Sequence, residues 1–456
     1  MPLRRILVAN RGEIALRIVR AAHGLGMEAV LAASAADRES MAAREADRTV
    51  VIGPSPARDS YLNAELIVHA AKSTGCDGLH PGYGFLSERA SLASLCDEAG
   101  IVFVGPTAEA IEAVGDKLSA RRLARAAGVA MTPGSDKLDS AVEAVAFAKN
   151  IGFPVVTKAS AGGGGRGMVV ARDARALEDG FDRASSEARE AFGDGTLYVE
   201  RFVERARHVE VQAMGLGDGR VVHFGERDCS LQRRYQKMVE EAPAAALPEA
   251  TRARLRGAAV SLLSSVRYRN AGTVEFLYDV ERDDFYFMEV NARIQVEHPV
   301  SEMITGSDLI RLQLEVARGA PPSLDQQNIV FHGHAIEARI IAEDPERGFA
   351  PSPGRVRRWR PPHGKGVRVD TAISEGAFVP PYYDSMIAKL IVHAPDRVSA
   401  VMRLREALDD FAVEGVATNI PFLRGVAAHP DFIGNRLDTR WLEGVFMPHF
   451  GQQRDV

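Results

Sequence analysis

The chain has 456 residues, too many for one ordinary hydrophobic core and suited to two to four packed subdomains. Hydrophobic residues make up 46% and charged residues 26%, and no apolar run is long enough to span a bilayer, which sets membrane spanning aside. The formal net charge of -5, with signs interspersed, offers no broad basic field for nucleic acid and no polybasic tail for anionic lipid, so an anionic ligand requires a local site.

The opening stretch MPLRRILVANRGEIA reaches Arg11 and Glu13 after a short apolar run, without the apolar core and cleavage site of a signal peptide. It is expected to form a first strand. Cys76, Cys96 and Cys229 are widely spaced and form no CxxC pair, which predicts three thiols and a cytoplasmic protein.

From Arg4 to about Pro106, short β-rich runs (RRILVAN, EAVLAAS, RTVVI, CDGLHPG, IVFVGP) alternate with helical stretches such as EIALRIVRAAHGLG. This alternation predicts a parallel α/β domain over residues 1–114. Asn10 and Arg11 lie at its first strand-to-helix junction, where free backbone amides can hold an anion or where the helix is simply capped. A helical connector follows over 115–130, then a smaller unit over 131–204 read as a lid, then a mixed antiparallel and α+β region over 205–456. The Pro-containing stretches APSPGR, RPPHGKG and FVPPYYDS read as loops within that last region, which is expected to pack on the centre.

The glycine-rich run Gly162–Gly165, followed by Arg166 and Gly167, lies between two β-rich segments. A Walker loop would present Gly-Lys-Ser/Thr and open a helix, whereas this run turns back into a strand as a hairpin flap. Such a flap can still cover a triphosphate, because glycine lets backbone amides approach phosphate oxygens. Lys158, on the preceding apolar strand, needs an anionic partner if buried.

In FYFMEVNARIQVEHPV, Glu289, Asn291, Arg293, Gln295 and Glu297 recur at period two, opposite Val290, Ala292, Ile294 and Val296. A strand with this pattern has one wholly polar face. The mixture of an amide, a guanidinium and two carboxylates argues for a site rather than a solvated edge. GTVEFLYDV supplies Glu275 on a hairpin partner, and its carboxylate with those nearby forms an oxygen-rich set suited to Mg²⁺ or Mn²⁺ bridging phosphates. Zinc-ligand spacings are absent.

The strings ANRGEIALRI, HPGYGFLSE, GDK, KASAGGGGRGM, ERDCSLQRR, QKMVEEAP, EVNARIQVEHPVSEMITG, GHAIEARI and PPYYDSMIAKL resemble the biotin carboxylase signature set, in family order and along almost the whole chain. The resemblance implies an ATP-grasp fold: an N-terminal Rossmann-like domain, a mobile lid and a C-terminal mixed domain, with ATP held between lid and central sheet. It implies that Lys117, Lys158, Gly164, Gly165, Arg166, Gly167, Glu200, Val203, His208, Gln232, Tyr235, Glu275 and Glu289 contact ATP. Glu275, Glu289 and Asn291 surround Mg²⁺ or Mn²⁺ in the same arrangement. Lys237, Arg293, Gln295, Val296 and Glu297 match bicarbonate-binding positions, and Arg339 and Tyr83 match biotin-facing ones. Lys237, Arg293, Glu297 and Arg339 form the catalytic set, with Glu297 as general base.

The implied reaction is a ligase reaction. Bicarbonate is phosphorylated by ATP, carboxyphosphate breaks to CO₂ and phosphate, and biotin on a separate carrier protein is carboxylated as the first half-reaction of an acyl-CoA carboxylase. A carboxyltransferase subunit would complete the assembly, and the family expectation is a homodimer. No AMKM turn occurs, so biotin is expected on another chain. Tyr235 stands where many members have histidine. A carboxylate–amine ligase of the same fold would share the lid and metal residues but not ARIQVEHPV with GHAIEARI. A non-catalytic nucleotide-binding subunit would not need Lys237, Arg293, Glu297 and Arg339 together. Cys229, among cationic neighbours, reads as a structural or site-lining thiol rather than a nucleophile.

Overall fold

The computed structural model describes residues 3–160, 168–319 and 323–450. Near the N-terminus, β1 (Arg5–Val8), β2 (Glu28–Ala33), β3 (Arg48–Val51), β4 (Gly78–His80) and β5 (Val102–Phe103) form a parallel sheet in the order β3-β2-β1-β4-β5. Alternate residues of β1 feed two different cores: Leu7 packs with Ile67 and Val68 of helix Ala64–Ser73, whereas Ile6 and Val8 pack with Ile14 and Ile18 of helix Gly12–Gly24. A sheet covered on both faces requires such unbroken apolar strands. Asn63, Thr107 and Asp116 each accept a hydrogen bond from the backbone three residues on, starting helices Ala64–Ser73, Ala108–Gly115 and Lys117–Ala126.

A smaller antiparallel sheet holds β6 (Val155–Ala159) between β7 (Val169–Ala171) and β8 (Leu197–Arg201). With helices Ala141–Ile151 and Ala174–Phe192 it encloses its own core of Ala144, Val155, Leu177, Phe181 and Leu197. The expected flap joins β6 to β7, and its Gly162–Gly167 run, with the ATP-binding expectations at Gly164, Gly165, Arg166 and Gly167, lies outside the described residues.

The largest sheet has eight strands. It contains β9 (Ala206–Leu216), β10 (Val221–Arg233), β11 (Gln236–Ala242), β12 (Arg269–Asp279), β13 (Asp284–Asn291) and β14 (His334–Ile341), and two strands near the C-terminus, Val367–Thr371 and Met386–Ala394, continue it. The order is β13-β12-β9-β10-β11-β14, then Met386–Ala394, then Val367–Thr371, with every pair antiparallel. The C-terminal segment thus extends the central sheet by hydrogen bonding.

One expectation is corrected here. The period-two pattern predicts a strand running through Glu297, but β13 ends at Asn291 and residues 292–297 leave the sheet before helix His298–Thr305. Two physical causes are visible. The Ala292 amide donates to the Glu88 side chain at 3.1 Å instead of to a neighbouring strand, and Pro299 in the first helical turn favours a helix start there.

Glu241 on β11 ties the sheet to helix Arg397–Asp410. Its Oε2 lies 2.7 Å from His334 Nε2 and accepts from Arg397 Nε at 2.6 Å. Burial pushes this carboxyl up, but His334 and Arg397 outweigh burial and hold it at about 2, below its usual 4.5. A depressed carboxylate stabilises the fold above its unfolded pKa, and the contribution is lost as pH falls through the folded value. Glu241→Gln is expected to cost about 3–5 kcal/mol at neutral pH. The difference in thermal midpoint between wild type and variant should shrink as pH is lowered below the ordinary carboxylate range, and a constant gap would contradict this assignment.

Candidate active site

A cleft of about 750 Å³ opens where the N-terminal sheet, the small sheet and the central sheet face one another. Each contributes from a predictable place. Tyr83 follows the end of β4, Lys117 begins a helix, Lys158 and Glu200 project from β6 and β8, and His208, Gln232, Lys237, Glu275, Glu289 and Asn291 come from β9 to β13. Val203, Tyr235, Arg293, Gln295, Val296 and Arg339 also line it. Of the described residues expected from sequence, Glu297 alone is absent from the wall: it is fully buried behind Lys237 and Arg339.

At the floor, the Lys237 ammonium donates to Glu210 Oε2 at 2.6 Å, Glu297 Oε1 at 2.7 Å and Glu275 Oε1 at 2.9 Å. Burial alone would lower the Lys237 pKa, but the three carboxylates hold it well above its usual value. Glu210 also accepts from Arg227 Nε at 2.5 Å, and despite burial these two cations hold it at about 2. Burial likewise pushes Glu297 up, and Lys237, Arg339 and Arg227 outweigh it, so the carboxylate stays below its usual value. Arg293 is aimed by neighbours on both sides: its Nε donates to Glu88 at 2.9 Å and its Nη1 to Gln295 at 2.7 Å.

Glu275 and Glu289 face each other in register on β12 and β13. Glu275 Oε1 accepts from Lys237, from Asn291 at 2.9 Å and from Gln295 at 3.1 Å, while Oε2 lies 2.9 Å from His208 Nε2. Gln232 in turn lies 2.7 Å from His208 Nδ1. Among the described residues, Glu289 has only the more distant Lys117 ammonium at 3.9 Å. Burial and the neighbouring Glu275 charge push Glu289 above its usual value, which is the signature of a carboxylate short of a cation. The donor set of two carboxylates and an amide oxygen fits Mg²⁺ or Mn²⁺.

On the opposite wall, Lys158 lies 2.7 Å from Glu200, which Arg121 also contacts. Burial, followed by Lys117 and Arg121, pushes Lys158 down to about 8. A polyphosphate there would raise it back toward its ordinary value. Tyr235 forms the exposed tip of the two-residue turn between β10 and β11, with Arg234 and Tyr235 at φ 48° and 65°. Asn10 and Arg11 are spent on structure: the Asn10 amide donates to Pro81 and Tyr83 carbonyls at 2.7 and 2.8 Å, and Arg11 makes a two-point pair with Asp37.

Several residues that shape the site carry no local sequence signal. Glu88 is 205 positions from Arg293, and Arg121 is 79 from Glu200. Glu210 and Glu240 look like the polar half of alternating strands. The relevant signal was strand length, since acids at the middle of long central strands have no solvent to face.

Cys76, Cys96 and Cys229 are free and buried. Burial, then the charge of Glu210, pushes the Cys229 thiol well above its usual value, so the thiolate needed for attack is disfavoured. Iodoacetamide at neutral pH should leave Cys229 unmodified in the folded protein and label it only after denaturation. Rapid native labelling would contradict the closed packing around it.

Three family models match consecutive stretches. They are described as biotin carboxylase, N-terminal domain (residues 2–111), carbamoyl-phosphate synthase L chain, ATP binding domain (116–325) and biotin carboxylase C-terminal domain (337–444). Biotin carboxylase 1 of Bacillus subtilis is 48% identical over 97% of this chain and 98% of that protein. The propionyl-CoA carboxylase alpha chain of Ruegeria pomeroyi is 44% identical over 99% of this chain and 70% of that one. Among solved structures, a biotin carboxylase complex from Campylobacter jejuni is 45% identical with a TM-score of 0.93, covering 97% of this chain and 98% of that chain. The biotin carboxylase domain dimer of Hydrogenobacter thermophilus 2-oxoglutarate carboxylase gives the same identity and TM-score over 98% of both chains. With relatives this similar matched along nearly its whole length, the chain belongs to the biotin carboxylase family.

Proposed function

We propose that this chain carboxylates biotin with bicarbonate at the expense of ATP. The observation that carries the reading is the floor of the cleft, where Lys237 and Arg339 converge on one buried carboxylate, Glu297, and Arg293 stands in the adjoining wall. Such a constellation suits a small anion that must be held, deprotonated and phosphorylated. Solved relatives named as a beta-gamma-ATP complex, and as a complex with MgADP, ADP and bicarbonate, are consistent with those ligands here.

In this reading Lys117 and Lys158 hold the polyphosphate, with Glu200 orienting Lys158. Glu275, Glu289 and Asn291 would hold Mg²⁺ or Mn²⁺, which supplies positive charge to the transferring phosphoryl group. Arg293 offers bicarbonate a planar fork and Lys237 a point charge. As bicarbonate draws on these cations, Glu297 loses part of the attraction that depresses its pKa and becomes a better base for the bicarbonate proton. A bicarbonate oxygen then attacks the γ-phosphorus and ADP leaves. Carboxyphosphate breaks at its carbon–oxygen bond to CO₂ and phosphate, phosphate takes the ureido N–H proton, and the biotin nitrogen attacks CO₂. Arg339 stabilises the negative ureido oxygen.

Biotin arrives on a carrier protein or domain, and a carboxyltransferase partner selects the final acceptor. Relatives are named for propionyl-CoA and methylcrotonoyl-CoA carboxylases, and also for 2-oxoglutarate carboxylase. A homodimer is the assembly proposed, in keeping with the solved Hydrogenobacter thermophilus relative, which is a biotin carboxylase domain dimer. No helix among the described residues is long and apolar enough to cross a membrane, and three free thiols suit a reducing cytoplasm.

ADP release should require a divalent metal and bicarbonate and rise with biotin. Glu297→Gln is expected to lower turnover by at least about a hundredfold while leaving the nucleotide Kd within about threefold. Glu289→Gln should instead weaken metal–nucleotide binding by about tenfold or more. Turnover indifferent to bicarbonate, or the same binding defect in both variants, would contradict the proposal.

A further inference from the structure

Two buried carboxylates behind Arg339 take no part in these steps. Glu240 on β11 and Glu337 on β14 are direct cross-strand partners, and both are fully buried. Opposed residues of antiparallel strands project from the same face, and Arg339, two positions beyond Glu337, shares it. The guanidinium bridges two acids: Nε donates to Glu240 Oε1 at 2.7 Å and Nη2 to Glu297 Oε2 at 3.0 Å. Among the described residues, Glu240 Oε2 and both oxygens of Glu337 have no hydrogen-bond partner.

The charges around this pair decide its state. Arg339 and Glu297 face it from the cleft side, Lys237 from β11, and Lys389 from strand Met386–Ala394. Lys389 is already committed, with its ammonium 3.1 Å from Glu13 and donating to the Val296 carbonyl at 3.0 Å. Lys237 is shared among three other carboxylates. Among the described cations, Arg339 is therefore left to serve Glu240 and Glu337 while sharing Glu297 with Lys237, and two like charges opposed in a dry interior cannot both persist. Glu240 has the direct contact with Arg339, and Glu337 has none. Burial pushes both up, Glu240 to about 7 with Arg339 drawing it back toward the charged form, and Glu337 well above its usual value, in keeping with that geometry.

We propose that Glu240 is a positioning residue for the carboxylation step: it fixes the Arg339 guanidinium between Glu297 and the cleft, while Glu337 stays a neutral acid beside it. Were Glu337 ionised, Arg339 would be over-neutralised and would lose its attraction for an anionic ureido oxygen. Were Glu240 stripped of its charge, a neutral oxygen would hold Nε only weakly and the guanidinium would swing toward Glu297. The inference rests on the reading of Arg339 as the residue that faces biotin.

The test measures ADP release and carboxybiotin formation with free biotin on the full chain. Wild type must couple the two, and if it makes no carboxybiotin the proposed function fails before this inference is reached. Glu240→Gln is expected to lower carboxybiotin per ADP by at least about tenfold, with bicarbonate-dependent ADP release and the KM for bicarbonate within about threefold of wild type. Glu240→Asp, which keeps the charge on a shorter arm, should recover part of the ratio and serves as the informative variant if Gln fails to fold. Glu337→Gln, an isostere of the neutral acid, should retain the wild-type ratio. Equal loss of ADP release and carboxybiotin in folded Glu240→Gln, no change in their ratio, or no recovery in Glu240→Asp would overturn the positioning role. Uncoupling in Glu337→Gln as deep as in Glu240→Gln would overturn the neutral assignment.

Discussion

The ammonium of Lys237 is the interaction on which the site depends. Three carboxylates, Glu210 from β9, Glu275 from β12 and Glu297 from the turn before helix His298–Thr305, meet it within hydrogen-bonding distance. Each would be costly to bury unpaired, and together they would repel. Lys237, with Arg227 beneath Glu210, lets them lie side by side against the middle of the sheet. Removing that cation would leave several acids uncompensated at once, so the position is structural before it is chemical.

The remaining ion pairs sort by what they leave unfinished. Those deep in the sheet are closed: Arg227 reaches Glu210, Gln212 and Ser301, and Glu241 is matched by His334 and Arg397. At the cleft, two groups are less evenly matched: among the described residues Glu289 has one ammonium at 3.9 Å, and Lys158, though paired with Glu200, is depressed by burial and by other cations. In the proposed reaction the nucleotide and its metal complete these pairs, so substrate affinity comes from electrostatic mismatches kept open in the free protein.

The fold was legible wherever one strand's pattern reports its own burial. The alternation of β-rich runs with helical stretches pointed to the parallel sheet of β1 to β5, and Glu275 opposite Glu289 followed from the spacing of a hairpin. Legibility ended where a distant residue redirects the chain. Nothing near Ala292 announces that Glu88 takes its amide, so the strand appeared to continue to Glu297. Pro299 was the local cue for a helix start, hidden inside an alternating pattern. Glu240 and Glu337 were invisible for a different reason: an acid at period two looks solvated until its strand is known to be central. The roles of the cleft residues came from resemblance, whereas their convergence on one cleft comes from the way the three sheets face one another.

The central claim is that bicarbonate, held over Lys237 and Arg293, is itself the nucleophile toward ATP. Supplying bicarbonate labelled with heavy oxygen and analysing the phosphate released in single turnovers tests this directly. The account predicts that each phosphate formed carries an oxygen from bicarbonate, because the carbon–oxygen bond breaks after the oxygen–phosphorus bond has formed. Phosphate bearing only solvent oxygen would show that water attacks ATP, and the reading of the site as a bicarbonate-activating centre would be wrong.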